Sequence, residues 1–253
     1  MPEGPEIRRA ADEIAAVLEG RSIETVRFGL SRLRRVERRL RGHRVRAVET
    51  RGKAMLLHFE HGLTVYSHNQ LYGVWRVVQG HQLPESTRSL RLLLQTATHS
   101  ALLYSASDIS VWPVEELGQH PFLARLGPDI MSTGLAWRTI ADRLQSPQFA
   151  RRNLASLYLD QGFVAGIGNY LRRAASLSVG ERGRLARATL DVSLRSYRTA
   201  GVTLAPSLAR ALQGTALPWE QRRFAVFGRD GLPCYRCAAA IVRSELNSRR
   251  LYA

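Results

Sequence analysis

Lysine is all but missing from this chain: of its 37 basic residues, every one except Lys53 is arginine. Arginine serves wherever a fixed positive charge is wanted. A lone lysine marks a position better suited to a compact ammonium that can give up a proton. Acidic residues are also scarce, 21 in all, which leaves a formal net charge of +16 and a pI near 11.2. An imbalance of that size opposes compaction unless polyanions neutralise it, so nucleic acid is the leading partner. An anionic membrane surface competes, but the sequence has no long basic amphipathic helix to meet one. Cysteine is confined to Cys234 and Cys237. Two cysteines spaced C-x-x-C speak for metal or redox chemistry rather than a disulfide framework. No run reaches the roughly 20 apolar residues of a helical membrane span. Nor does an apolar stretch of about 7–15 residues follow the N-terminus, so the reading is a cytoplasmic protein without a secretory signal.

What is present suits an ordinary folded protein. Hydrophobic residues make up 45% of 253 positions, enough for one large domain or two of normal size. Residues 3–19 carry Ile7, Ala10, Ala11, Ile14, Val17 and Leu18 at helical spacing, with Gly20 as the stop. Strand-like pieces follow at 22–28, 44–59, 63–67, 74–78, 90–96 and 101–105. Between the first two, residues 31–46 hold eight arginines, with Leu33, Val36 and Leu40 interspersed. That segment reads as a helix with a basic face or as an exposed basic loop. Leu126-Gly127-Pro128-Asp129 has the look of a linker, and helical spacing prevails after it. Gly162 and Gly166-Ile167-Gly168-Asn169 break the helical pattern of 154–177. Residues 200–221 look partly helical, and the tail from Phe224 to Tyr252 alternates like a hairpin. The economical division is two domains, split near residue 128.

Several short motifs, in order along the chain, carry a resemblance. They are Met1-Pro2-Glu3-Gly4-Pro5-Glu6, Arg51-Gly52-Lys53, Tyr66-Ser67-His68-Asn69-Gln70-Leu71-Tyr72-Gly73, His120-Pro121-Phe122-Leu123, Gly127-Pro128-Asp129 and Gly166-Ile167-Gly168-Asn169-Tyr170. Together they resemble the formamidopyrimidine-DNA glycosylase/endonuclease VIII family, and the Gln-Leu-Tyr-Gly element resembles endonuclease VIII in particular. The resemblance implies an α+β protein in three parts: an N-terminal catalytic domain over 1–128, with a helix and a β-sandwich; a helix–two-turns–helix DNA-binding domain over 129–222; and a β-hairpin finger over 223–253. The implied activity is a bifunctional DNA glycosylase and AP lyase that excises oxidised pyrimidines from duplex DNA without a catalytic cofactor. The implied partner is duplex DNA bearing oxidised bases or abasic sites, bound by a monomer. The alternative is a catalytically impaired DNA-binding relative.

Residue chemistry agrees with the resemblance. Pro2 follows the initiator methionine, and removal of Met1 exposes a secondary amine. An α-amino group has a pKa of about 7.7–8.0, so part of it is a free nucleophile near neutrality. The resemblance makes Pro2 the nucleophile at C1′, with Glu3 moving protons at the sugar. It makes Lys53 a cation beside the sugar and its phosphate. Gln70, Leu71 and Tyr72 become the wedge that fills the gap left by a flipped nucleotide. Arg125 and Asn169 become contacts to DNA, and Arg249 the finger arginine that meets phosphate and assists the second elimination.

Two departures stand out. The family carries a four-cysteine zinc finger, and a closed tetrahedral zinc site takes four ligands. This chain has Cys234 and Cys237, and the third cysteine would fall at position 254. The expectation is therefore a truncated finger or a hairpin that folds without zinc. The family also carries a glutamate five residues after Asn169, where this chain has Ala174 beside Arg173.

Overall fold

Pro5 lies in the first turn of helix α1, where its fixed φ is already helical and its missing N–H costs nothing. In the computed structural model, which describes residues 2–167, 177–246 and 249–252, α1 spans Gly4–Leu18. Its apolar face (Ile7, Ala11, Ile14 and Leu18) is buried, as the spacing requires. The chain divides into two units, Met1–Arg125 and Leu126–Ala253.

The first unit holds eight strands: β1 (Thr25–Phe28), β2 (Val45–Arg51), β3 (Ala54–Phe59), β4 (Leu63–His68), β5 (Val74–Gln79), β6 (Leu90–Gln95), β7 (His99–Tyr104) and β8 (Asp108–Pro113). They form two antiparallel sheets, ordered β2-β3-β4-β8 and β1-β6-β7-β5. Met55, Leu57 and Val65 of one sheet, Phe28, Leu92 and Leu103 of the other, and the apolar face of α1 share one core. The run expected over 44–59 is a hairpin: Gly52 at φ +61° turns the chain between β2 and β3. β8 was not legible in the sequence, because it opens on Asp108 and closes on Pro113, both poor strand residues.

The basic segment resolves into a 3-10 turn over Ser31–Val36 followed by helix α2 (Glu37–Leu40). Leu33 and Leu40 are buried in the core and Val36 packs against it, which leaves the arginines facing outward.

The second unit contains α3 (Trp137–Gln145), α4 (Leu154–Leu159), α5 (Val179–Arg198), α6 (Pro206–Ala211), α7 (Trp219–Arg223) and a hairpin of β9 (Arg243–Leu246) and β10 (Arg249–Tyr252). Ser178 caps α5 reciprocally: its hydroxyl accepts from the Glu181 N–H at 3.3 Å, and the Glu181 carboxylate accepts from the Ser178 N–H at 2.8 Å. Ile140, Leu144, Phe149, Leu157, Tyr158 and Phe163 are among the core residues of this unit. The Tyr158 hydroxyl bonds Thr189 at 2.9 Å, and burial pushes its pKa up to about 12.

The stretch that reads as a linker is built into this unit. Gly127 donates to the Gln161 carbonyl at 2.9 Å, and Ala165 donates to the Pro128 carbonyl at 2.9 Å. A Cβ at Gly127 would lie 2.4 Å from the Gly162 oxygen, so no larger residue fits there. Gly-Pro-Asp marks a turn in the sequence, but the partner it pairs with lies more than thirty residues on.

Candidate active site

Pro2 and Glu3 stand at the head of α1. The Glu3 N–H donates to the Glu6 carboxylate at 2.9 Å, which fixes the first turn. Glu3 is only 8% exposed, at a helix end that favours negative charge. The other end of α1 is tied to the start of β2: Glu19 bridges Val45, and the Glu19 carboxylate accepts from the Val48 N–H at 2.6 Å. α1 packs along β2, and the two are about equally long, roughly 22 Å and 23 Å. Glu3 therefore lies toward the far end of β2, where Gly52 and Lys53 turn the chain.

Lys53 is 6% exposed in that turn. The next residue, Ala54, pairs with His68 across β3 and β4. The Lys53 charge reaches His68: burial first, then Lys53, lowers the pKa of His68, while Asp108 opposes them. The His68 Nδ1 accepts from the Gln70 N–H at 3.1 Å, as a neutral imidazole does. Asp108, at the start of β8, accepts from the Tyr66 hydroxyl at 3.3 Å, and burial raises the Tyr66 pKa further than the carboxylate alone would. His120 stacks on Tyr66 with centroids 3.9 Å apart, and Phe122 meets His68 edge-on at 5.0 Å. The His120-Pro121-Phe122 motif thus folds over the strand ends beside Lys53.

Three histidines, His58 and His120 buried and His68 half-buried, give the unit a pH dependence of defined sign. Burial lowers the pKa of His58, His68 and His120 below the ordinary value of 6.5. Between the lowered and the ordinary values the unfolded chain binds more protons, so stability rises with pH in that window. The contribution is complete above pH 6.5 and is lost as the pH falls toward the lowered values. Thermal unfolding followed at pH 7.5 and 5.5 should show a lower Tm at 5.5, with a smaller drop in His120→Gln. An unchanged Tm would contradict this.

The connection between β4 and β5 projects the expected wedge. Leu71 is 60% and Tyr72 71% exposed, so neither is a core residue. Gln70 is held at φ +52°, a left-handed conformation uncommon for a side chain of its type. Gly73 closes the loop on the Asn69 carbonyl at 2.7 Å, and a Cβ there would meet Asn69 backbone at 2.5 Å. Two more contacts brace it: the Ser107 hydroxyl donates to Gln70 Oε1 at 2.8 Å, and Arg88 donates to the Tyr72 carbonyl at 2.8 Å. Sequence reasoning missed Arg88, Ser107 and Asp108. They reach the site across gaps of 16 to 42 residues, and no local pattern announces them.

Arg125 is exposed at the end of a short 3-10 turn and donates to the Pro121 carbonyl at 2.8 Å. Asn169, Arg173 and Ala174 lie outside the described residues. The Arg249 backbone pairs with Leu246 in the hairpin.

The Cys234–Cys237 turn is formed: Cys234 donates to the Ala239 carbonyl at 2.8 Å, and the Arg236 N–H points at Cys234 Sγ at 3.4 Å. That N–H is the leading cause of a lowered Cys234 pKa. Both thiols are free, and among the described residues no group of three His, Cys, Asp or Glu side chains is placed to hold a metal. Two thiolates do not close a tetrahedral zinc site, so the described donor set does not fit the metal.

Residues 1–107 match the formamidopyrimidine-DNA glycosylase N-terminal domain. The whole chain aligns with a protein named Endonuclease 8 from Escherichia coli at 46% identity, covering 97% of that relative. It aligns with the Endonuclease 8 of Salmonella arizonae at 45%, with the same coverage of both chains. Among solved structures, Lactococcus lactis Fpg in complex with N7-benzyl-Fapy-dG DNA matches with a TM-score of 0.78 at 16% identity, over 99% of this chain and 97% of that one. Fpg from the same organism bound to DNA containing an oxidised pyrimidine gives 0.80 at 16% identity, with the same coverage. At that level of identity the solved structures speak for the fold. Among the described residues, no helix is long and apolar enough to cross a membrane.

Proposed function

Because the chain belongs to the formamidopyrimidine-DNA glycosylase/endonuclease VIII family, and resembles endonuclease VIII most, we propose that it excises oxidised pyrimidines from duplex DNA with its own N-terminal proline. It is a DNA glycosylase and AP lyase of base excision repair, and the chemistry needs no cofactor. Once Met1 is removed, the Pro2 nitrogen attacks C1′ with its lone pair. The bond from C1′ to the base breaks, and the base leaves with a proton. Ring opening gives an iminium between the proline nitrogen and C1′. Loss of a proton from C2′ then expels the 3′ phosphate, and a second elimination expels the 5′ phosphate. Water finally hydrolyses the iminium and frees the enzyme.

Glu3 is the group we assign to proton transfer at the sugar. Lys53 supplies a cation near the sugar and its phosphate, and Arg249 a second one for the last elimination. Gln70, Leu71 and Tyr72 enter the duplex and recover stacking lost when the nucleotide turns out, at a cost of a few kcal/mol. Arg125 and Asn169 meet the phosphate backbone. The observation that supports this assignment best is the burial of the only lysine at the same end of β2 toward which α1 directs Glu3. The test is a duplex carrying one oxidised pyrimidine. The expected product is a one-nucleotide gap with phosphate on both ends; an uncut strand would contradict the proposal.

Arg88 acts here through the loop it braces. Arg88→Ala should lower excision from duplex about tenfold, since a displacement of about 1 Å in a reacting assembly costs up to 100-fold. Cleavage of a single-stranded abasic oligonucleotide, which needs no wedge, should change less than twofold. Equal losses on both substrates would show that Arg88 supports the fold rather than the wedge.

A further inference from the structure

Half of the chain's excess charge is gathered in about one-tenth of its length. Residues 21–46 hold ten arginines and two glutamates, a net +8 of the total +16. All ten arginines are exposed. Two nearby carboxylates are engaged with the backbone: Glu37 accepts from the Phe28 N–H at 2.6 Å, and Glu60 from the Arg44 N–H at 3.2 Å. Among the described residues, none of these ten guanidinium groups forms an ion pair with a carboxylate. A solvated face that only needed solubility would intersperse both signs. This one does not.

Two of the arginines fix where the segment lies on the unit. Arg32 donates to the Ser107 and Ile109 carbonyls at 3.1 and 2.9 Å, beside the serine whose hydroxyl bonds Gln70. Arg44, at the opposite end of β2, donates to the Gly20 carbonyl at 2.7 Å, just past the end of α1. The segment therefore reaches from the edge of the wedge loop, at the start of β8, to the far end of β2, a strand that alone is about 23 Å long. At about 3.4 Å of axis per phosphate on one strand, that spans roughly seven phosphates.

We propose that this strip is a second DNA-binding surface, which holds the sugar-phosphate backbone of duplex DNA outside the lesion site. The proposal rests on the reading of the protein as a DNA-repair enzyme. Guanidinium forks match phosphate oxygens in pairs and, away from a groove, read no bases. Binding here is therefore independent of sequence and steeply dependent on salt. Its use is to keep the enzyme on undamaged DNA while the wedge loop samples base pairs.

The test replaces Arg34, Arg35, Arg38 and Arg39 together with alanine, after melting curves confirm a folded protein. Affinity for an undamaged duplex of about 30 base pairs is then measured over a series of salt concentrations. Each lost phosphate contact removes about 0.9 from the slope of log K against log salt. The slope should fall by about 3.6, and lysine at the same four positions should restore most of it. A slope unchanged within about 0.5 overturns the proposal and leaves a solvated face. Tenfold preference for single-stranded RNA over duplex DNA also overturns it, because the partner is then RNA. Single-turnover excision by the wild-type protein, run alongside at saturating enzyme, reads the lesion site alone. Its absence would overturn the repair reading without deciding whether the strip binds duplex.

Discussion

Exchanging Lys53 for methionine should lower single-turnover base excision by about 10²–10³, the range expected when a preorganised charge or a proton-transfer group is removed. Methionine has nearly the length of lysine and no charge. In a site only 6% exposed it should fill the space without a cavity, and the fold should survive. The loss would thus belong to the ammonium. Lys53→Arg is the sharper comparison, because it keeps the positive charge but cannot surrender a proton. If the ammonium only attracts phosphate, arginine should recover most of the rate. If it also transfers a proton, arginine should recover little. Rates within fivefold of wild type in Lys53→Met would remove the residue from the mechanism.

Glu3→Gln should produce a loss of similar size, about 10²–10⁴ in base excision, because glutamine keeps the shape of the side chain and cannot exchange a proton. The first turn of α1 should hold, since it relies on the Glu6 carboxylate accepting from the residue 3 backbone N–H. The two variants should separate on DNA that already contains an abasic site. There the base is gone, so a proton needed for its departure no longer limits the rate, and Glu3→Gln should lose less than on a lesion. Lys53→Met should lose comparably on both if its charge serves the phosphate. Equal behaviour of Glu3→Gln on both substrates would place Glu3 in elimination rather than in base loss.

Much of the fold was legible in the sequence because local physics and tertiary structure agree. Pro5 and Gly20 bracket α1, and its apolar spacing is the face that the sandwich buries. Strands β4 to β7 follow their apolar runs within two residues, whereas the single run over 44–59 is two strands, β2 and β3. What could not be read depends on distant partners. β8 exists because β4 offers it an edge, although its end residues oppose a strand. Gly127-Pro128-Asp129 is fixed by residues 161–165 rather than free as a linker. The arginine segment became interpretable only when Leu33 and Leu40 were seen to enter the core.

The candidate site was legible in a different way. Pro2, Glu3, Lys53 and the wedge came from motifs that resemble a known family, while composition singled out only Lys53. The structure adds the means by which these residues are held. α1 carries Glu3 along β2, Gly52 turns Lys53 inward, and Ser107 and Arg88 brace the loop of Leu71 and Tyr72.

The most direct test of the central claim is borohydride reduction of the protein on a duplex with one abasic site, followed by mass spectrometry of the cross-linked peptide. The account predicts a stable adduct on the amino terminus of a chain that begins at Pro2, and no adduct when that amine is acetylated beforehand. An adduct on Lys53, or none at all from protein that has lost Met1 and binds the duplex, would contradict it.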